Sequence, residues 1–552
     1  MVKQVLAVMN KEIRGLHEAA YLLAAFTFLA QLLSLVRDRV FAHFFGAGPT
    51  LDAYFAAFRI PDFTFAFLTL FVSSFALIPL LERHGGAATD SARRLIGSTL
   101  AAFGVVSIIL SLALYALLPH LVPFLFGGFS EAAQAQTVAL SGIMLLQPLL
   151  LGLSSVMTSV VQSSRKFVLY ALAPVFYNIG IIIGALFLYP SLGITGLAWG
   201  VVLGALLHLS VQVIPVALSG SAHLPLFDGA WFADIKSVAM LSAPRALALG
   251  ANQLVLLAFA VAGSLAVAGS VSVLMFGFNL QSVPLAVIGV SYASALFPSL
   301  SALFEKGDRE TFAKEVWTAV RHITLWTMLA IALMVVLRAH IVRVILGSGA
   351  FTWADTRLTA AILAGFVISL VAQATILIFS RAYYAAGRSF EPIAVNVGAA
   401  LFASAASVVA LLWFKGASLT RYFFEDLFRV ADIPGTEVVM LALAYSAVML
   451  TAALVFAILY GRRFGFDRGA LKSMFFSFAA AVIAAFSTYG TLQLFGPLLP
   501  TDTFLGIFAQ GAAGATFGVL SWAVTLTVIK SEDFAEVRSV VSRILKDRST
   551  VA

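Results

Sequence analysis

The chain has 552 residues, of which 61% are hydrophobic and only 11% charged, with a mean hydropathy of +1.00. Apolar runs long enough to cross a bilayer recur throughout, which excludes a soluble enzyme and makes this a polytopic helical membrane protein. The net charge of +8 sits mostly in the connecting loops, where the positive-inside rule accounts for it without a nucleic-acid partner. There is no Cys, so disulfides and Cys-based metal sites are excluded.

Residues 1–20 are basic and weakly amphipathic, and the run 21–36 has no clear cleavage site, so it reads as a retained first span. Thirteen further runs follow, at 62–81, 94–118, 138–161, 168–189, 193–217, 238–262, 272–297, 319–345, 357–380, 392–414, 437–460, 473–495 and 504–529. An all-α protein with 14 transmembrane helices is the expectation. An even count puts both termini on one side of the membrane. If that side is the cytoplasm, 24 of the 34 Lys and Arg face inward and 8 face outward, so both termini are expected to be cytoplasmic.

Between residues 31 and 84 the chain places Arg37, Asp38, Arg39, Asp52, Arg59 and Asp62 near or inside hydrocarbon. Each such charge costs roughly 3 kcal/mol at a helix centre, so ionisable groups there commonly face a wet cavity and serve a function. The plainer reading is that Arg37 to Arg39 mark a membrane boundary and snorkel. Arg59 precedes Pro61, which is expected to break the helix and leave a new N-terminus with Asp62 in its first turn. Broken helices of this kind line substrate sites in transporters.

Two motifs return. Arg165-Lys166-Phe167 with Pro174, Asn178 and Gly180 is echoed by Arg388-Ser389-Phe390 with Pro392, Asn396 and Gly398, and Asn178 and Asn396 are 218 residues apart. Ala76-Leu77-Ile78-Pro79 returns 219 residues later as Ala295-Leu296-Phe297-Pro298. A duplication of six spans follows, with parallel copies and the last two spans outside the repeat. The expected divisions are a first lobe over 1–218, a second over 219–436, and residues 437–552 carrying span twelve, the final pair and a cytoplasmic tail.

Gly196, Gly200 and Gly204 line one side of the sixth span and point to close helix packing. Trp199, Trp326, Trp413 and Trp522 read as packing or interfacial anchors. The outer loop 415–437 has room for a short interfacial helix, and the tail has helical spacing at Phe534, Val537, Val541 and Leu545 suited to anionic headgroups.

No phosphate-binding loop, nucleophile elbow, His-Glu-x-x-His pair or dinucleotide fingerprint occurs, and the 8 His are scattered. Neither an enzyme nor a cofactor or metal site is expected. What remains are polar groups at membrane depth, among them Gln31, Arg37, Asp38, Asp52, Arg59, Arg245, Asn252, Gln253, Asn279 and Gln281. Arg245 follows Pro244 near the start of the seventh span, as Arg59 neighbours Pro61. Two guanidinium forks suit a pyrophosphate; the alternative is that they only pair with Asp38, Asp52 and Asp62.

The order Arg37-Asp38, Phe45-Gly46-Ala47-Gly48, Asp52-Ala53-Tyr54-Phe55, Phe58-Arg59-Ile60-Pro61 and Ala76-Leu77-Ile78-Pro79 resembles the opening of the MurJ/MviN family, lipid II flippases of the bacterial MOP exporter superfamily. The resemblance implies the MOP flippase fold, two six-helix lobes rocking about a central cationic cavity, and a last helix pair forming a groove for the lipid tail. It implies a flippase in the bacterial cytoplasmic membrane that moves the peptidoglycan precursor by alternating access. The cavity residues would be Arg37, Asp38, Asp52, Arg59, Arg245, Asn279 and Gln281. The partners would be a lipid-linked pyrophosphate oligosaccharide and membrane lipids, with the protein a monomer.

This chain departs from the family in places. Gln31, Phe65 and Asn279 stand where the family carries further cavity Arg, and Leu70 where it has an acidic residue. Residues 238–262 and 392–414 lack the Asp or Glu that the family uses for sodium. Export of another polyprenyl-pyrophosphate-linked glycan is therefore the near alternative. A non-transporting scaffold with a decayed cavity, or a multidrug antiporter of the superfamily, is more distant.

Overall fold

A computed structural model describes residues 16–84, 89–164, 166–218, 231–498, 500 and 503–539. Among them twelve helices are long and apolar enough to cross a membrane, or thirteen if a bent pair, Trp353–Val367 and Leu370–Ala385, counts as one span. The expected fourteen is not reached. The span that falls short is the first, Leu16–Phe45, whose second half carries Arg37, Asp38 and Arg39. These three charges are continuous with the helix and do not mark a turn, as the boundary reading required.

The chain forms two units, Met1–Ser272 and Val273–Ala552. In the first, α1 (Leu16–Phe45) is followed by α2 (Pro49–Ala57), α3 (Arg59–Val72) and α4 (Ser74–Arg83), which together form the second span. Then come α5 (Asp90–Leu125), α6 (Glu131–Met144), α7 (Leu146–Ser163), α8 (Phe167–Ile183), α9 (Thr195–Leu218) and α10 (Trp231–Ser264). Thr89 and Ser130 cap α5 and α6, accepting from the N–H of Ala92 and Ala133. The core joins Leu68, Val72 and Leu77 of α3 and α4 to Leu95, Ile96 and Phe103 of α5 and Val156 and Val160 of α7. Helix α10 packs against α3, α4 and α5, so this helix, which the repeat counts with the second copy, lies within the first unit.

The break expected at Pro61 is not there. Phe58 joins α2 to α3 in helical conformation (φ −66°, ψ −26°). Pro61 has no N–H to offer the Ala57 carbonyl four residues back, and Ser141 of α6 replaces it, its hydroxyl donating to Ala57 O at 3.1 Å. The span is interrupted instead at Ser73, which is extended (φ −65°, ψ 121°).

Helices α8 and α9 meet backbone to backbone, as the glycine spacing suggests. A Cβ at Gly180 would stand 2.3 Å from Gly204 Cα, and one at Gly184 2.4 Å from Gly200 Cα. Gly200→Val is therefore expected to force the two helices apart and lower the amount of folded protein in the membrane, measured by immunoblot and by fluorescence-detected size exclusion in detergent. An unchanged profile would show that the contact gives way freely.

In the second unit, α11 (Ser270–Pro284, entering from the first unit) leads into α12 (Ser291–Glu305), α13 (Arg309–Val336), α14 (Arg338–Ile345), α15 (Trp353–Val367) and α16 (Leu370–Ala385). These are followed by α17 (Phe390–Gly416), α18 (Ser418–Phe428), α19 (Val439–Phe464), α20 (Arg468–Phe495) and α21 (Phe504–Val528). Its core is aromatic. Trp317, Phe379, Tyr383, Phe456 and Tyr460 pack together, and Trp317 Nε1 donates to Gly465 O at 2.9 Å. Trp326 and Trp522 pack on each other with centroids 5.3 Å apart. Phe534 packs on Trp522, while Val541 and Leu545 of the tail, like Arg165 of the repeat, lie outside the described residues. The short helix expected in the loop 415–437 is α18.

Candidate functional site

Arg37 lies two turns before the end of α1. Its Nε and Nη2 both donate to Asp38 Oδ1, at 3.0 and 2.8 Å, Nη2 also donates to Ser34 Oγ, and Nη1 donates to Asn178 Oδ1 on α8 at 3.3 Å. Asp38 is 2% exposed, so this carboxylate depends on Arg37 for its charge balance. Asn178 is oriented in turn by a bond from its Nδ2 to Pro174 O at 3.0 Å.

Arg59 opens α3 and is held more loosely. Its Nε donates to Phe55 O at 3.0 Å, Nη2 approaches Asp62 Oδ2 only to 3.7 Å, and Nη1 is buried without a hydrogen-bond partner. Asp62 also accepts from Gln147 Nε2 of α7 at 3.3 Å. Two phenols link the ion pairs: Tyr54 of α2 and Tyr177 of α8 each lie within electrostatic range of both Arg37 and Asp62. The result is a cluster of two cations, two carboxylates, two phenols and two amides at membrane depth within the first unit.

Asp52 does not belong to this cluster, contrary to expectation. It accepts from the N–H of Gly269 at 2.6 Å, from the N–H of Ser272 at 2.8 Å and from the Ser272 hydroxyl at 2.6 Å. All its capacity goes into fixing the turn that begins α11. Gly269 is required there, with φ +94° and a would-be Cβ 2.7 Å from Ala47 O.

Arg245 also sits differently from its reading. It is not near a helix start but midway along the 34-residue α10. It is half-buried on the helix that packs against α3, which carries Arg59. Asn279 and Gln281 lie on α11 in the second unit. Asn279 is half-buried. Gln281 is 1% exposed and accepts from Gln373 Nε2 at 3.1 Å, and Gln373 Nε2 also donates to Ser369 Oγ at 2.8 Å. Gln281 thus braces the bend between α15 and α16.

The residues missed from sequence are Tyr54, Tyr177 and Gln147. Tyr54 and Tyr177 were inside quoted motifs, and each is a polar atom on an otherwise apolar face.

The lipid II flippase MurJ family model matches residues 41–509, most of the chain. This chain belongs to the MurJ lipid II flippase family. Arg59 and Arg245 fall inside the match and Arg37 just before it. The probable lipid II flippase MurJ of Rickettsia prowazekii is 23% identical over 385 residues, which span 69% of this chain and 76% of that one. The corresponding Buchnera aphidicola protein is 26% identical over 383 residues, 68% of this chain and 74% of that one. The lipid II flippase MurJ of Burkholderia cenocepacia is 25% identical over 417 residues, 74% and 80%.

Among solved structures, a lipid II flippase MurJ in an inward closed conformation has a TM-score of 0.72 at 22% identity, over 92% of this chain and 99% of that one. An inward-facing multidrug MATE transporter of the MOP superfamily reaches 0.62 at 14% identity, over 79% and 94%. These likenesses show the fold, an all-helical MurJ/MATE architecture. MurJ membership makes the chain a multi-pass membrane transporter and not an enzyme.

Proposed function

We propose that this chain moves lipid II across the bacterial cytoplasmic membrane by alternating access, with both termini cytoplasmic, and that Arg59 holds the diphosphate. The observation that carries the assignment is the state of Arg59. Its guanidinium is 8% exposed, its one carboxylate contact is 3.7 Å long, and Nη1 is left unpaired. A buried charged donor without a partner is costly, and a diphosphate oxygen offers the planar fork the bond it lacks. Arg37 and Arg245 add positive charge, and Tyr54 and Tyr177 add hydroxyl donors for a phosphate or sugar. Asn279 offers a neutral amide from the second unit.

Export of another polyprenyl-pyrophosphate-linked glycan uses the same diphosphate chemistry. It is favoured by Gln31, Phe65 and Asn279, which stand where the family resemblance puts Arg. Growth of a cell depleted of its own lipid II flippase separates the two: rescue by this chain supports lipid II, and an abundant, membrane-inserted chain that gives no growth overturns it.

The lobes are proposed to be copies of one six-helix unit. Asn178 Nδ2 donates to Pro174 O, and Asn396 Nδ2 donates to Pro392 O at 2.7 Å. Asp62 and Gln281, 219 residues apart, each accept from a glutamine just past a break in a later helix, Gln147 in one copy and Gln373 in the other. Matching local bonds at the repeat's own offset support the duplication.

The orientation can be read with single cysteines, since the chain has none. Ala132 and Lys306 are exposed in loops on opposite sides. They avoid Gly128, where a Cβ would stand 2.1 Å from Ser264 O, and Gly307, with φ +77°. In intact cells an impermeant thiol reagent is expected to label Ala132→Cys and spare Lys306→Cys; the reverse pattern would invert the topology.

A further inference from the structure

We propose that a basic cavity at one end of the second unit binds a phosphate group, supplied by the headgroup of an anionic phospholipid. The cavity, of about 680 Å³, is bordered by Arg338, Arg357 and Arg429, and no Asp or Glu lines it. The three cations differ in how far they are committed. Arg357 is spent on structure: its Nη1 and Nη2 grip Asp432 at 2.7 and 2.5 Å, and its Nε donates to the Arg429 carbonyl at 3.1 Å. It thereby positions Arg429.

Arg429 itself is exposed, and its guanidinium has no hydrogen bond or ion pair among the described residues. Its backbone is left-handed (φ 58°, ψ 48°) at the end of α18, where glycine or asparagine is usual and another side chain costs about 1 kcal/mol. Arg338 opens α14 and donates from Nη1 to the Val335 carbonyl at 2.8 Å. Burial and the nearby Arg429 both disfavour its charge. Two guanidinium groups face one cavity with no carboxylate between them, and an anion seated there removes their repulsion.

The remaining border identifies the anion as the head of an amphiphile. Trp353, Leu427 and Tyr489 line the same cavity and are 57%, 56% and 48% exposed. Aromatic rings beside cations are the usual lining at the headgroup level of a bilayer, where an acyl chain lies along the apolar side and the phosphate meets the cations. The loops involved follow spans nine and eleven. On the orientation proposed above, which decides only the leaflet, the lipid comes from the outer one.

The test is native mass spectrometry of the full-length chain in detergent, titrated with dioleoylphosphatidylglycerol or dioleoylphosphatidylcholine, with inorganic phosphate as competitor. Wild type is expected to hold one more phosphatidylglycerol than Arg429→Gly or Arg338→Gln, with affinity falling about tenfold or more per arginine lost, and to prefer it to phosphatidylcholine. Arg429→Gly relieves the left-handed strain, so its melting temperature should not fall, and lost binding cannot then be put down to unfolding. Displacement by millimolar inorganic phosphate would keep the phosphate site but make free phosphate its source. Equal phosphatidylglycerol retention by wild type and both variants overturns the site. The readout involves no lipid II, so its failure leaves the transport assignment untouched.

Discussion

Arg59→Ala is expected to abolish rescue of a flippase-depleted cell while the protein stays in the membrane near the wild-type level. The bonds it removes inside the fold are few: one to the Phe55 carbonyl and a 3.7 Å approach to Asp62, which keeps Gln147 as a donor. The bonds it removes from substrate are charge-assisted, so diphosphate binding should weaken about ten- to a hundredfold. Arg59→Lys keeps the charge and loses the fork, and should rescue in part. Arg37→Ala should behave differently. It strips the partner from Asp38, which is 2% exposed, and so should lower abundance as well as function. Immunoblots beside the growth assay separate the two, and an abundant, fully active Arg59→Ala protein would remove the guanidinium from the mechanism.

Asp52→Ala is expected to give the largest loss of stability among single substitutions in the first unit. The change leaves the N–H groups of Gly269 and Ser272 and the Ser272 hydroxyl without their acceptor in a buried turn. Two stranded backbone donors cost about 2 to 6 kcal/mol together, and the loss should appear as a lower melting temperature in detergent and a poor yield of monodisperse protein. Asp52→Asn keeps one acceptor oxygen but loses the charge and should fall between. A melting temperature unchanged in the alanine variant would show that the turn is held by packing alone.

The spans were legible in the sequence because hydropathy needs only local composition. So was the contact of α8 with α9, because glycines four apart leave a flat helix face whatever the partner. The role of Asp52 was not legible, since its partners lie 217 and 220 residues away and a carboxylate beside arginines in sequence suggests a cavity. The break expected at Pro61 failed for a similar reason: the hydroxyl that replaces the missing N–H comes from Ser141, on another helix. Interruptions at Ser73 and Ser369 carry no Pro or Gly at the break itself. The Arg37 and Arg59 pairs could be suspected from charge in hydrocarbon, but their joining through Tyr54 and Tyr177 is a product of packing.

The most direct test of the central assignment is the appearance of lipid II at the outer face of cells depleted of their own flippase. It can be read by cleavage of labelled lipid II with an externally added enzyme that attacks its headgroup. With this chain supplied, the cleaved fraction should return to the level of undepleted cells, and with Arg59→Ala at equal abundance it should not. A chain abundant in the membrane that leaves lipid II protected from the enzyme would contradict the account.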